Sequence, residues 1–482
     1  ELGDQVRSGL RWSFVSTVLG RILNPLLGIV LARILTPEDF GIFAVALVAL
    51  NALVSINDLG VTLAVVRWPG KVDEVARTAT SVAIAGSALF YTACFVSAPW
   101  VASALNSPDA TGVLRLLALG VIIDGAGSVP LAFITRAFRQ DQRMVADWSG
   151  FLVSAGVTIG LAAAGFGAWS LAWGRIAGNV VNTGLLYRLS PLRPRPGWDR
   201  DQARELLRFG LPLTGSSFLV FAMLNVDYVV VGHELGTVAL GIYLLAFNLS
   251  SFPVNVISTS IRRVLVPAFA RFQHDHAALR EVFLRWLHQL ALLTVLLCTL
   301  LAALAYPTIL FVYGTKWRGA APVLVSLALL GGTRVLIEFI YDVFVAVGHS
   351  RPLLWLQGLW VVLLVPALTA GARLDGVRGV GFAHAVVAVG IMLPVFSRAL
   401  HPIGISMVDV GRRLARPLLG AAAAGTAGVL TVHVLGEGFA GLAVGGLVIV
   451  AVYAAVGASP SELRALPELA RRRRVEVAPA GD

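Results

Sequence analysis

The 482 residues are 57% hydrophobic and 13% charged, with a net charge of +11 and two cysteines. Soluble chains carry about 25% charged residues, and a mean hydropathy of +0.81 places this chain in a bilayer, where every spanning backbone closes its own hydrogen bonds. That excludes a water-soluble domain. The surplus of basic residues lies in short loops, where it sets membrane topology rather than binding nucleic acid.

Runs such as LHQLALLTVLLCTLLAALA have the length of a helical span, about 20 residues, not that of a barrel strand. About fourteen such spans follow one another, near 12–32, 41–66, 78–104, 112–135, 148–165, 168–187, 209–232, 239–261, 286–306, 321–346, 353–371, 379–397, 415–435 and 438–457. The first is full length and holds Arg21, so it reads as a span and not as a signal peptide. With the N-terminus in the cytoplasm, most of the 38 Lys and Arg residues fall at cytoplasmic ends and loops. Outer loops keep Arg33, Arg115, Lys316, Arg318, Arg373 and Arg378, while Arg21, Arg175 and Arg334 lie inside spans. This bias obeys the positive-inside rule and puts both termini in the cytoplasm.

The turn after the first span reads TPEDFG. Thr36 can cap the next helix, Pro37 suits its first turn, Glu38 and Asp39 favour its N-terminus, and Gly41 permits close helix contact. Two hundred residues on, the pattern returns: Leu35 falls on Leu235, Gly41 on Gly241, Ile42 on Ile242, Phe43 on Tyr243 and Ala46 on Ala246. Between the two copies, residues 188–208 form a proline-stiffened cytoplasmic linker and a short interfacial helix. The expected organisation is an N-terminal lobe over 1–187, that linker, a C-terminal lobe over 209–398, two extra spans over 399–458 and a basic cytoplasmic tail over 459–482. Six spans is an even number, so the lobes are parallel repeats, an arrangement that places substrate at their interface and moves it by alternating access.

Charges within spans cost about 2.5–3.5 kcal/mol each and face a partner or a hydrated cavity. Arg21 is in span 1, Asp58 in span 2 beside Asn57, and Asp124 in span 4. Arg175, Asn179 and Asn182 recur at helical spacing in span 6, and Asn248, Asn255, Thr259 and Arg262 do so in span 8. Span 10 carries Arg334, Glu338 and Asp342, and span 12 carries His384. One reading is a cationic, hydrated cavity suited to an anionic head group, with Arg21 and Arg175 at its centre. The other is internal pairing, which is the simpler reading for Arg334 and Glu338, four residues apart. Asp58, Asp124, Glu338 and Asp342 are open as coupling sites or as counter-ions, and His384 reads as a packing residue. Cys94 and Cys298 sit in apolar runs and read as small core residues rather than a disulfide or metal pair. Trp169, Trp173, Trp355 and Trp360 read as interfacial anchors. No metal spacing, P-loop or nucleophile motif occurs, and no cofactor is expected.

Six stretches carry a family resemblance: LARILTPEDFGIFAVALVAL, INDLGVTLAVVR, GFGAWSLAWGRIAG, LLRFGLPL, NVDYVVVGHELGTVALGIYLLA and RRVLVPAFARFQHDHAALREVF. In that order, from about Arg11 to Arg398, they resemble the Wzx-like and teichuronic-acid-exporter-like polysaccharide flippases of the multidrug/oligosaccharidyl-lipid/polysaccharide exporter superfamily. The resemblance implies an all-α integral membrane protein, two six-helix lobes in a V plus two C-terminal helices. It implies a non-enzymatic flippase that moves a polyprenyl-diphosphate-linked oligosaccharide from the inner to the outer leaflet of a bacterial plasma membrane. Membrane lipids and the polysaccharide polymerase machinery are the partners it points to. Arg21 matches the family's helix 1 arginine by position, and Arg262 or Arg263 matches one at the end of helix 8; span 2 has no mid-span arginine. The physics agrees, because a diphosphate cannot cross hydrocarbon unaided and arginine forks can replace its hydration. The rival reading is a cation-coupled drug or small-molecule antiporter of the same superfamily, whose cavity carboxylates would dominate. A membrane glycosyltransferase lacks room in such short outer loops, and lipid contact explains the basic clusters Arg412–Arg416 and Arg471–Arg474 more simply than a scaffold does.

Overall fold

The computed structural model describes residues 12, 19–21, 23–57, 59, 61–68, 72–191, 195–254, 257, 265, 269, 271–272, 275–348, 351–401 and 404–457. Among them every regular element is helical and ten segments are long and apolar enough to cross a membrane. The chain divides into two compact units, Glu1–Leu244 and Leu245–Asp482.

The first unit holds α1 (23–34), α2 (Pro37–Asn57), α3 (Val61–Arg67), α4 (Val72–Ala104), α5 (Ala110–Arg136), α6 (Gln140–Ala163), α7 (Ala168–Leu189) and most of α8 (Arg200–Ser250). Its core is centred on α5, whose Leu114, Leu117 and Val121 pack with Leu50 of α2, Cys94 of α4 and Ile176 of α7. Both cysteines of the chain are free and buried, as core residues are. The second hub is the pair α6 and α7. Gly174 and Gly178, four residues apart, turn the small face of α7 onto Gly150, Ser154 and Thr158 of α6, leaving no room for a Cβ. Close backbone approach through small residues is how helices associate without a hydrophobic drive between them. Arg136 closes the α5 end of this unit: its guanidinium donates to the carbonyls of Val65, Val66 and Trp68 at the C-terminus of α3, at 3.1, 3.2 and 2.9 Å.

The TPEDFG turn is a reciprocal cap. Asp39 N–H donates to Thr36 Oγ1 at 3.2 Å, and Thr36 N–H donates to Asp39 Oδ2 at 2.9 Å, so two donors at the start of α2 are satisfied together. The other oxygen of Asp39 accepts from the Ala168 amide at 3.1 Å and thereby ties α2 to the N-terminus of α7. Asp39→Ala removes both functions. The expected loss is about 1–3 kcal/mol of stability, read as a lower melting temperature of the purified protein in detergent.

Two elements double back. Tyr243 Oη donates to Asp227 Oδ2 at 2.9 Å, yet sixteen residues along one helix span about 24 Å. Gly236, at φ 79° and ψ −170°, is where α8 reverses. It is therefore an antiparallel hairpin of two arms, as the sequence expects for spans 7 and 8. Ahead of it, residues 195–199 dock on the start of α4, where Gly197 N–H donates to Ser81 Oγ at 3.0 Å and Asp199 N–H to Thr78 Oγ1 at 3.2 Å. Asp199 then caps α8 through the amides of Asp201 and Gln202, so the interfacial helix runs straight into the first arm.

The second unit holds α9 (His276–Ala303), α10 (Ala320–Ala346), α11 (Arg351–Val386), α12 (Met407–Leu435) and α13 (Phe439–Gly457). In it α10 is the buried hub. α11 reverses at Gly376, φ 55°, which brings Gly371 against the Gly379 carbonyl and Trp360 edge-on to Phe396 at 6.5 Å. α12 and α13, which lie outside the internal repeat, form a hairpin that packs on α9 around Leu304, Ala424, Ile449 and Tyr453. Of the tryptophans expected as interfacial anchors, Trp169, Trp173 and Trp355 are exposed, and Trp360 is partly covered by its aromatic neighbour.

Candidate functional site

The internal repeat is a contact. A Cβ on Gly41 would collide with the Thr237 carbonyl, and a Cβ on Gly241 would collide with the Pro37 carbonyl. Residue 37 stands to 237 as 41 stands to 241, so the start of α2 and the second arm of α8 meet reciprocally at the 200-residue offset. Neighbouring polar bonds support the same end of the unit: Asn106 donates to the His233 carbonyl at 2.5 Å, and His233 Nδ1 lies 2.7 Å from the Ala104 carbonyl.

A polar network runs between α5 and α7. Asn179 Nδ2 donates to Asp124 Oδ1 at 3.0 Å. Arg175, one turn earlier, acts electrostatically on the same carboxylate, without a direct ion pair between them. Thr183 Oγ1 donates to the Ile123 carbonyl at 3.3 Å and Asn57 Nδ2 to the Val121 carbonyl at 3.0 Å. Asn57 is only 4% exposed, and its Oδ1 has no hydrogen-bond partner among the described residues. A buried amide oxygen left unsatisfied is uncommon and marks a place where water or a ligand group can bind. Asn182 does not join this network. It donates to Asp147 of α6 at 2.9 Å, which in turn pairs with Arg143 at 3.6 Å. The stripe expected on one face of α7 is thus shared between two neighbouring helices.

In the second unit, Arg334 of α10 stands 5.8 Å over the Phe247 ring and acts electrostatically on His384, which is buried. No ion pair joins Arg334 to Glu338; the within-helix pairing expected from their spacing is replaced by this cation–π contact. Asp342 is buried one turn beyond Glu338, and Asn248 is exposed on the second arm of α8. Arg21 lies partly buried on the helical stretch before α1. Asp58, Asn255, Thr259, Arg262 and Arg263 fall outside the described residues. Among the described residues, no group of three or more His, Cys, Asp or Glu side chains could hold a metal ion.

Asp227 was not foreseen. It is 2% exposed, bonded to Tyr243 and flanked by Tyr228, whose ring meets Tyr243 edge-on at 5.8 Å. A signal for it exists in the repeat: the equivalents of Asp227 and Tyr243 are Leu27 and Phe43, which pack in one apolar cluster. Both members of the pair become polar together in the second copy.

Apolar crossing helices, hairpin reversals and polar residues aligned within spans define a multi-span membrane protein of transporter architecture. Solved structures with this fold include the lipid II flippase MurJ in an inward closed conformation, at TM-score 0.69, 13% identity and coverage of 92% of this chain and 97% of that one. An inward-facing multidrug resistance MATE family transporter of the MOP superfamily matches at TM-score 0.59 and 16% identity, over 85% and 98% of the two chains. Residues 30–322 match the polysaccharide biosynthesis protein family, and the chain belongs to that family. Among its relatives are the succinoglycan biosynthesis transport protein ExoT of Rhizobium meliloti, 29% identical over 94% of this chain and 93% of ExoT, and the lipopolysaccharide biosynthesis protein WzxC of Escherichia coli, 25% identical over 80% and 79%. The flippase-family resemblance in the sequence is thereby met; the MATE transporter shares the fold at 16% identity, against 29% for ExoT.

Proposed function

We propose that this protein flips a polyprenyl-diphosphate-linked oligosaccharide across a bacterial plasma membrane by alternating access, for assembly of a surface polysaccharide. Its carrying observation is the family match over residues 30–322, joined to a transport-protein relative aligned along nearly the whole chain. Both termini are cytoplasmic in this reading, and residues 1–187 and 209–398 work as the two lobes. The chain acts as a transporter and not as an enzyme, and it hands its lipid-linked product to the polymerase machinery outside. Arg21 and Arg175 contact the diphosphate. Asn179, Asn182, Asn248, Asn255, Arg262 and Arg334 line the path with them, Asp124 serves as counter-ion to Arg175, and Asp58, Glu338 and Asp342 are held as counter-ions or coupling groups.

The chemistry favours arginine at these places. Stripping water from a diphosphate costs far more than a neutral hydrogen bond returns, and a guanidinium supplies charge and a fork of donors at once. The test is reconstitution in liposomes with a labelled polyprenyl-diphosphate oligosaccharide, following how fast lipid from the inner leaflet reaches an external sugar-modifying reagent. Wild-type protein accelerates exposure. Arg21→Ala abolishes it while the variant remains folded in the membrane; an active Arg21→Ala protein removes Arg21 from the path. No acceleration by wild type, with or without an ion gradient and membrane potential, would turn the reading to the antiporter.

A further inference from the structure

In the second unit, α9 and α12 enclose a cleft of about 420 Å³ at their basic ends, with Arg280 and Glu281 on one wall and Asp409, Arg412 and Arg413 on the other. The charges are not balanced. Arg280 donates to Asp409 Oδ2 through Nε and Nη2 at 3.2 and 2.8 Å, and Arg285 pairs with Glu281 at 3.1 Å. Each acid of the cleft is therefore matched by its own arginine. Arg412 and Arg413 are left over: both are exposed, and neither has an ion pair to another described residue. His288 holds the backbone here, with Nδ1 3.0 Å from the Arg413 carbonyl, and Asp409 also closes the capping box of α12 with Ser406. The two spare guanidinium groups thus project from a fixed helix end.

Depth decides what they meet. Leu418 and Leu419, 54% and 66% exposed, open the apolar outer face of α12 six and seven residues further on. Six helical residues rise about 9 Å. The polar headgroup layer on one side of a bilayer is about 5–8 Å thick. With Leu418 a few ångströms inside the hydrocarbon, Arg412 and Arg413 stand within that headgroup layer, where the lipid phosphates lie. A zwitterionic headgroup brings its own cation into competition with them; a phosphodiester without an amine does not.

We propose that this cleft is a binding site for an anionic phospholipid of the cytoplasmic leaflet, whose phosphate bridges Arg412 and Arg413 while its chains lie along Leu418 and Leu419. The site is independent of what the protein transports. The full-length protein, purified in mild detergent with a mixture of phosphatidylglycerol and phosphatidylethanolamine, is analysed by native mass spectrometry. Wild type retains phosphatidylglycerol preferentially, and Arg412→Gln/Arg413→Gln lowers that retention about thirtyfold, as loss of two interfacial cations requires. Arg378→Gln, which removes an exposed cation elsewhere in the unit, leaves it unchanged. Arg412→Lys/Arg413→Lys retains more than the Gln pair, and a monodisperse elution profile confirms that each variant is folded. Equal retention by wild type and the Gln pair overturns the proposal. So does displacement of the lipid by millimolar glycerol phosphate or inorganic phosphate, which would make this a free-anion site. Loss of flipping by the Gln pair in liposomes that contain only zwitterionic lipid would assign the cleft to the transported lipid instead, and would also overturn it.

Discussion

Gly41→Ala and Gly241→Ala each lower the melting temperature of the purified protein and cut flipping about tenfold, whereas Gly156→Ala and Gly160→Ala do neither. The sign separates the pairs. An alanine in an open helical position gains about 0.5–1 kcal/mol over glycine, and a Cβ at 156 or 160 meets nothing within 4 Å. At 41 and 241 the same methyl runs into the carbonyls of Thr237 and Pro37. Those atoms are backbone and cannot swing aside, so the helices must part, at about 1–3 kcal/mol for overpacking. The contact is reciprocal, so each substitution alone forces both close approaches open. A barrier raised by about 1.4 kcal/mol slows a step tenfold, provided that the contact re-forms in every transport cycle. Thermal melting and the liposome assay read the two effects separately. A variant that melts lower but flips at the wild-type rate would make this contact static.

The legible part of the fold is local. The Thr36–Asp39 cap needs residues three apart and nothing else, so TPEDFG declares it. Gly41 was readable as a close-packing glycine and Gly241 as its repeat, but not that the two close approaches are one reciprocal contact; an offset names equivalents, not neighbours. The α7 stripe shows the same gap. Relative to Arg175, Asn179 is turned about +40° and Asn182 about −20° around the helix. Periodicity reads that as one face. Two flanking helices read it as two, and Asn179 goes to α5 while Asn182 goes to α6. Arg334 and Glu338 have the right spacing to pair, yet Phe247 from another element takes the guanidinium. Asp227 escaped because its partner lies across a hairpin, sixteen residues away, where no helical period reaches.

Arg175→Gln abolishes flipping and destabilises the protein, and Asp124→Asn added to it restores the stability without restoring flipping. Removing the arginine leaves the Asp124 carboxylate inside the span with Asn179 alone to answer it. An uncompensated carboxylate there costs up to about 2.5–3.5 kcal/mol. Neutralising Asp124 removes that cost, and its amide keeps an oxygen for Asn179. Melting temperatures of wild type, both single variants and the double then yield a coupling energy, since the two charges lie in one network through Asn179. Flipping gives the second axis. If Arg175 only glues α7 to α5, the double variant recovers transport together with stability, because the charge it answered has gone. If Arg175 holds the diphosphate, transport stays lost, since no fork of charged donors remains at that depth. The pair of measurements therefore divides structural compensation from substrate binding at a residue where the geometry permits both.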